Sequence, residues 1–209
     1  CVDADHASTY GYTGYSWPNN GGVMAYQIFN PSATVPPNIP IPPHSGSKLA
    51  VCFASIGQFN NDWLISPQIQ DAGQISFWAR SLSAQYGLER FKVGVSTTGT
   101  APGNFTIISG ANYLQAPTTW TLYTYDLSAY PGSIYVGIQC VSNDALLFMV
   151  DDVMIQSANV LITQSLPLNA GWNLVSLNVS PAITHIEDLS GEITVNLQQI
   201  RGAEGIYMP

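Results

Sequence analysis

The chain has 209 residues and a net charge of −8, with only five basic side chains and 9% charged residues, against about 25% in an average soluble domain. So few cations cannot release counterions from a phosphate backbone, which excludes nucleic-acid binding and disfavours an anionic membrane surface. No apolar run reaches the length of a membrane-spanning helix, so no membrane insertion is expected, while 46% apolar residues argue against disorder.

The chain starts at Cys1 in a polar stretch, "CVDADHASTY", with no visible signal peptide. It reads as processed or trimmed, a lipid anchor on Cys1 being the second reading. "VDADHAS" is similar to the D-x-D-x-D-G loop in which alternating carboxylates wrap a calcium ion. Asp3 and Asp5 are kept, but Ala7 and Ser8 stand at the third acidic and glycine positions. As metal ligands the two would need partners from elsewhere in the fold. Next comes "TYGYTGYSW", a Gly-rich loop that cannot bury Tyr10, Tyr12 and Tyr15 locally. With Tyr86 further on, these three are the candidate ligand-binding surface, because tyrosine faces stack on sugars and anchor protein interfaces.

Short apolar runs cut by Gly, Pro and Asn then recur at 23–29, 48–54, 62–69, 74–80, 90–96, 104–109, 119–127, 133–141 and 146–155. All read as strands. Nine short strands without a helical stripe predict an all-β chain folded as a jelly-roll β-sandwich. Most of Trp17, Trp63, Trp78 and Trp120 are expected to fill its core. Residues 31–43 hold six of the fourteen prolines, which predicts an extended surface loop, or a lip beside a binding site.

In "NNDWLISPQI", Asp62 stands at the mouth of an apolar strand with Asn60 and Asn61 before it. Either Asn61 and Asp62 supply oxygens to a metal, or Asp62 caps a turn through a local bond. Asp151 and Asp152 interrupt "LLFMVDDVMI". Strand alternation sends one of them towards the core, where a carboxylate needs a partner. Basic partners are scarce, so a calcium ion is the favoured compensator, with backbone amides at a strand bulge as the alternative. Cys52 and Cys140 lie in apolar strands and read as buried thiols; an inter-strand disulfide stays open. No hydrolase, P-loop, zinc-protease or C-x-x-C motif is present. Glu89, Asp126 and Asp144 are the acids from which a glycosidase pair could be drawn, and nothing selects a pair.

A boundary falls near residues 156–160. Residues 1–157 form the first domain, and residues 158–209 form a linker strand and the start of a second, truncated β module. There "LITQSLPLNAGWNLVSLNV" restarts a strand pattern with a turn at "NAGW", and "AITHIEDLSGEI" predicts a short helix.

"VDADHASTYGYTGYSW", "NNDWLISPQI", "GQISFWARS", "VGVSTTG", "TWTLYTYDLSAYPG", "IYVGIQC" and "LFMVDDVMI" occur in an order that resembles the cleaved-adhesin family. These are the haemagglutinin/adhesin modules of Bacteroidetes surface proteins, including the adhesin regions of gingipain proteases. The resemblance spans residues 2–156. It implies a jelly-roll sandwich related to carbohydrate-binding modules, secretion or display on the outer cell surface, and structural calcium. It also implies a non-catalytic role in binding a host protein or glycan, as a monomeric module of a larger chain. The alternatives are a carbohydrate-binding accessory domain of a secreted peptidase or glycoside hydrolase, and a structural spacer.

Overall fold

The structure, a computed structural model, describes residues 1–158, 170–171, 200–202 and 205–207. The chain divides into two compact units, 1–159 and 160–209.

The first unit holds twelve strands: β1 (Val2–Asp3), β2 (Gln27–Phe29), β3 (Leu49–Phe53), β4 (Asp62–Ile65), β5 (Ile69–Gln70), β6 (Ala72–Ser81), β7 (Arg90–Ser96), β8 (Thr106–Ile107), β9 (Leu114–Gln115), β10 (Thr121–Asp126), β11 (Ser133–Cys140) and β12 (Leu147–Ser157). One sheet runs β1-β4-β11-β7-β8, with β5 also on β11 and β9 also on β7; the other runs β10-β6-β12-β3-β2. The ladders are antiparallel, and the chain is the all-β sandwich that its spacing of short strands predicts. The run expected over 62–69 breaks into β4 and β5 around Pro67, which has no amide to give to the ladder. The two-residue strands β1 and β9 are too short to show a period.

Alternation sorts the strands into two apolar clusters. Between the sheets lie Ile75, Phe77 and Ala79 of β6, Phe91, Val93 and Val95 of β7, Val136, Ile138 and Cys140 of β11, and Phe148 and Val150 of β12. Phe91 stacks on Phe148 at 5.2 Å. The alternate residues of β3 and β12 face the other way. Leu49, Val51, Phe53, Leu147 and Met149 form a second buried cluster with Phe29, Ile39 and Ile41.

This second cluster corrects two expectations. The proline-rich stretch is not merely a surface loop, because its Ile39 and Ile41 are buried against the outer face of β3 and β12. Prolines hold the segment extended without donors to satisfy, so it can lie across a sheet face as a cover. The tryptophans do not fill the inter-sheet core either. Trp17 and Trp120 pack on the second cluster. Trp63 lies on the outer face of β4 against Phe105, at 4.7 Å between ring centroids. Gly137 makes room for that pair: a Cβ there would sit 2.8 Å from the Trp63 ring and 2.9 Å from Phe105. Trp78 is half-buried on the outward side of β6. Phenylalanines take the interior instead.

In the second unit, β13 (Ile200–Gly202) pairs with β14 (Gly205–Tyr207) as a hairpin. A bend occupies Ala170–Gly171 within the predicted turn. The short helix predicted in 182–193, and the strands on either side of that turn, lie outside the described residues.

If Ile41 is part of a core, Ile41→Ala should cost about 2–5 kcal/mol in urea unfolding. A loss of a few tenths would return the segment to the status of a surface loop.

Candidate metal centre and the flanking acidic pair

Asp62 and Leu64 occupy the inward positions of β4, and Trp63 the outward one. Asp62 pairs with Cys140 of β11 on one side and with Asp3 of β1 on the other. Three polar side chains thus share one row across the sheet. Asp62 is fully buried. Its Oδ2 accepts from Asn60 Nδ2 at 2.8 Å and from Cys52 Sγ at 3.4 Å. Its Oδ1 is buried with no hydrogen-bond partner.

Asp5 reaches the same place from the loop after β1. Its Oδ2 accepts from the Asn61 amide at 2.7 Å and from Ser55 Oγ at 3.1 Å, and its Oδ1 from the Ala7 amide at 2.8 Å. Asp3 Oδ1 accepts from the His6 amide at 2.6 Å. Carboxylate oxygens of Asp3, Asp5 and Asp62 all lie within 4.8 Å of one another. Oxygens on one calcium ion are at most about 5 Å apart, twice the usual calcium–oxygen distance. Among the described residues no Lys or Arg forms an ion pair with any of the three.

Burial pushes Asp62 up to about 7, against the pull of the Asn60 bond, with the Asp5 charge adding to the rise. Acids facing each other across a strand pair repel. A proton or a cation would relieve that repulsion. Three carboxylates, one with an unsatisfied oxygen, suit a hard divalent ion.

The structure therefore joins Asp3, Asp5 and Asp62 of the sequence-derived candidates. Asn61 contributes its backbone amide to Asp5, but its Oδ1 is taken by Trp63 Nε1 at 3.1 Å and Gln139 Nε2 at 2.8 Å. Asn60 fills the supporting place instead, bonded to Asp62.

Asp151 and Asp152 form a separate site at a register shift in the β12–β6 ladder, between Asp151 and Met154. Asp152 has φ 47°. Their donors come from the end of the proline-rich segment. Asp151 Oδ2 accepts from the amides of His44 at 2.8 Å and Ser45 at 3.2 Å. Asp152 Oδ2 lies 2.6 Å from His44 Nδ1, and its Oδ1 accepts from Ser45 Oγ at 2.6 Å. The expectation that one of the pair faces the core is corrected here. A bulge leaves Asp151 half-buried and Asp152 exposed, and amides, a hydroxyl and an imidazole supply the donors. The bonds from His44 and Ser45 hold Asp152 below the usual carboxylate range.

Among the tyrosines, Tyr12 and Tyr15 meet edge to face at 5.7 Å and pack on the second cluster. Tyr10 and Tyr86 are exposed. No ring contact joins Tyr86 to the other three among the described residues.

No family model matches the chain, and no curated protein matches it. Among solved structures, the K2 cleaved adhesin domain of Lys-gingipain is 17% identical, with 73% of this chain and 95% of that domain covered at a TM-score of 0.52. The fold is adhesin-like. The K1 cleaved adhesin domain of Lys-gingipain from Porphyromonas gingivalis W83 is 21% identical over 76% of this chain and 89% of that one, TM-score 0.49. The CBM22-1 xylan-binding domain of Paenibacillus barcinonensis Xyn10C is 14% identical over 72% and 90%, TM-score 0.42.

Of the acids considered for glycoside hydrolysis, Glu89 is sealed in the interior. Its Oε1 accepts from the Leu146 amide at 2.7 Å and its Oε2 from Ser142 Oγ. Asp126 is exposed and accepts from the amide and hydroxyl of Ser128, both at 2.9 Å. Burial raises Glu89 to about 7. The folded chain then holds this proton more tightly than the unfolded chain does. The associated stability is complete below the unfolded pKa and is lost as pH rises through about 7. In an Asp62→Asn background, so that Asp62 does not titrate, urea-unfolding stability should fall by roughly 3 kcal/mol between pH 5 and pH 9. Glu89→Gln should flatten that slope; an unchanged slope would place its cause elsewhere.

Proposed function

We propose that this chain is a non-catalytic adhesion and binding module of the cleaved-adhesin family, secreted or displayed on the outer cell surface. One structural calcium ion fastens its N-terminal strand to the sandwich, and its partner is a host protein or a glycan. The unpartnered, buried Asp62 Oδ1 among three converging carboxylates carries this reading. Asp3, Asp5 and Asp62 would hold the ion, and Asn60, Ser55 and the amides of His6, Ala7 and Asn61 orient them. The ion would neutralise the repulsion and couple stability to calcium concentration. A non-catalytic role is supported by the positions of Glu89 and Asp126, one sealed in the interior and the other capping a turn. A bare spacer is disfavoured by exposed Leu122, Val153 and Met154, which share the lining of one cleft rather than lying scattered.

Calorimetric titration of the metal-stripped protein should show calcium binding, with magnesium a poor substitute because it demands a smaller octahedral cage. At a hundredfold excess over the dissociation constant, calcium should stabilise folding by about 2.7 kcal/mol. Asp62→Asn should abolish the calcium response while remaining folded. A melting temperature unmoved by calcium or chelator would remove the metal from the account. Binding to immobilised matrix proteins and to a glycan array, in calcium and in chelator, tests the module itself.

A further inference from the structure

The covered and uncovered halves of the second sheet meet at a cleft. Loop residues Ile39 and Ile41 roof β2, β3 and the first half of β12. Beyond them the outward residues of β6 are half-buried, with His44 over Trp78, and the bulged part of β12 is exposed. Ser76, Trp78, Leu122, Asp152, Val153 and Met154 line a cleft of about 580 Å³ there, within the size range of small-ligand sites. Leu122 lies directly across from Trp78 in the β10–β6 ladder. Leu122, Val153 and Met154 are exposed apolar side chains.

We propose that this cleft binds a neutral saccharide unit, the ring stacking on Trp78 and its hydroxyls bonding to Asp152. This rests on the binding-module reading and names a site within it that is separate from the carboxylate cluster.

Two features set the cleft apart from an incidental apolar patch. The first is that its aromatic and its carboxylate are fixed by one residue. The His44 ring stacks on Trp78 at 4.1 Å and 17°, and its Nδ1 lies 2.6 Å from Asp152 Oδ2. Ser45 Oγ holds the other carboxylate oxygen. Trp120 supports the imidazole from the side at 5.6 Å. Both groups are therefore positioned before a ligand arrives, which lowers the ordering cost of binding. The second is backbone strain. Asp152 is a non-glycine residue at φ 47° inside a strand, at a bulge. Bulges re-aim side chains, and strain of this kind persists where the surroundings enforce it.

The chemistry selects the ligand class. A sugar ring has an apolar C–H face for an indole and hydroxyl donors for a carboxylate. Each Asp152 oxygen has one protein partner, which leaves acceptor capacity for a ligand. Ser76 adds a hydroxyl to the lining. An apolar peptide would desolvate the Asp152 carboxylate without offering it donors. A uronic or sialic acid would meet that charge and a chain of net charge −8.

The test is affinity electrophoresis of the full chain in gels containing soluble β-1,4-galactan, xylan or α-mannan, with polygalacturonate as the anionic control. It is paired with a neutral glycan array and intrinsic tryptophan fluorescence. At least one neutral glycan should retard the protein and shift its fluorescence, and polygalacturonate should not. Trp78→Ala and Asp152→Asn should each weaken binding at least about tenfold, with Trp78→Phe closer to wild type. Thermal midpoints near wild type show that the variants are folded. Glycan binding unaffected by Trp78→Ala would overturn this site and leave the module reading standing. Binding of matrix protein without any glycan would do the same. Failure to bind either class would overturn both.

Discussion

A carboxylate with no basic partner among the described residues is folded into the interior of this sandwich, and much of the first unit is arranged around it. Asp62 takes an inward position on β4, next to Cys140 and Asp3 in its row and opposite Cys52 of the other sheet. Leaving such a group unpaired is costly. Asn60 turns inward to bond one oxygen, and Asp5 comes in from the N-terminal loop with a carboxylate oxygen within 4.8 Å of one of Asp62's. β1 is only two residues long and cannot hold its place by pairing alone. What ties the N-terminus down is the hydrogen-bond set around Asp5, from the Asn61 amide and the Ser55 hydroxyl, with the Ala4 amide on the Asn61 carbonyl.

The second constraint is coverage. The sheet containing β3 and β12 is apolar on both faces, so it needs a cover outside as well as a partner inside. The stretch from Tyr12 to Trp17 and the segment at Ile39 to Ile41 supply it, with Trp17 stacked on Phe53 at 5.3 Å and bonded through Nε1 to Gln27. The covering segment ends at His44 and Ser45, which are pinned by Asp151 and Asp152. One loop thus closes a core and sets the edge of a cleft.

The sandwich was legible because alternation of short apolar runs survives in sequence. The acids of the first cluster were legible because charges are so scarce that clustered ones stand out. What could not be read was direction and distance. Alternation separates Asp62 from Trp63 but does not say which faces inward, and here the indole lies outside and the carboxylate inside. Asp151 and Asp152 were conspicuous, but their donors lie more than a hundred residues earlier in the chain. No local pattern announces that His44 will stack on Trp78. Glu89 sits in an ordinary polar stretch, "YGLER", and its burial follows only from the packing of Leu146 and Ser142 around it.

The way the two ends of the first unit are attached has a mechanical consequence. The N-terminal strand lies at the edge of one sheet, and the C-terminal strand β12 lies in the middle of the other. Tension applied between them would load β1 against a single neighbour, while β12 is gripped on both sides by β3 and β6. The weak point is the edge strand, and the carboxylate cluster sits on it. A divalent ion there would act as a rivet at the place where force enters, setting how much pull the module withstands before its first strand peels away.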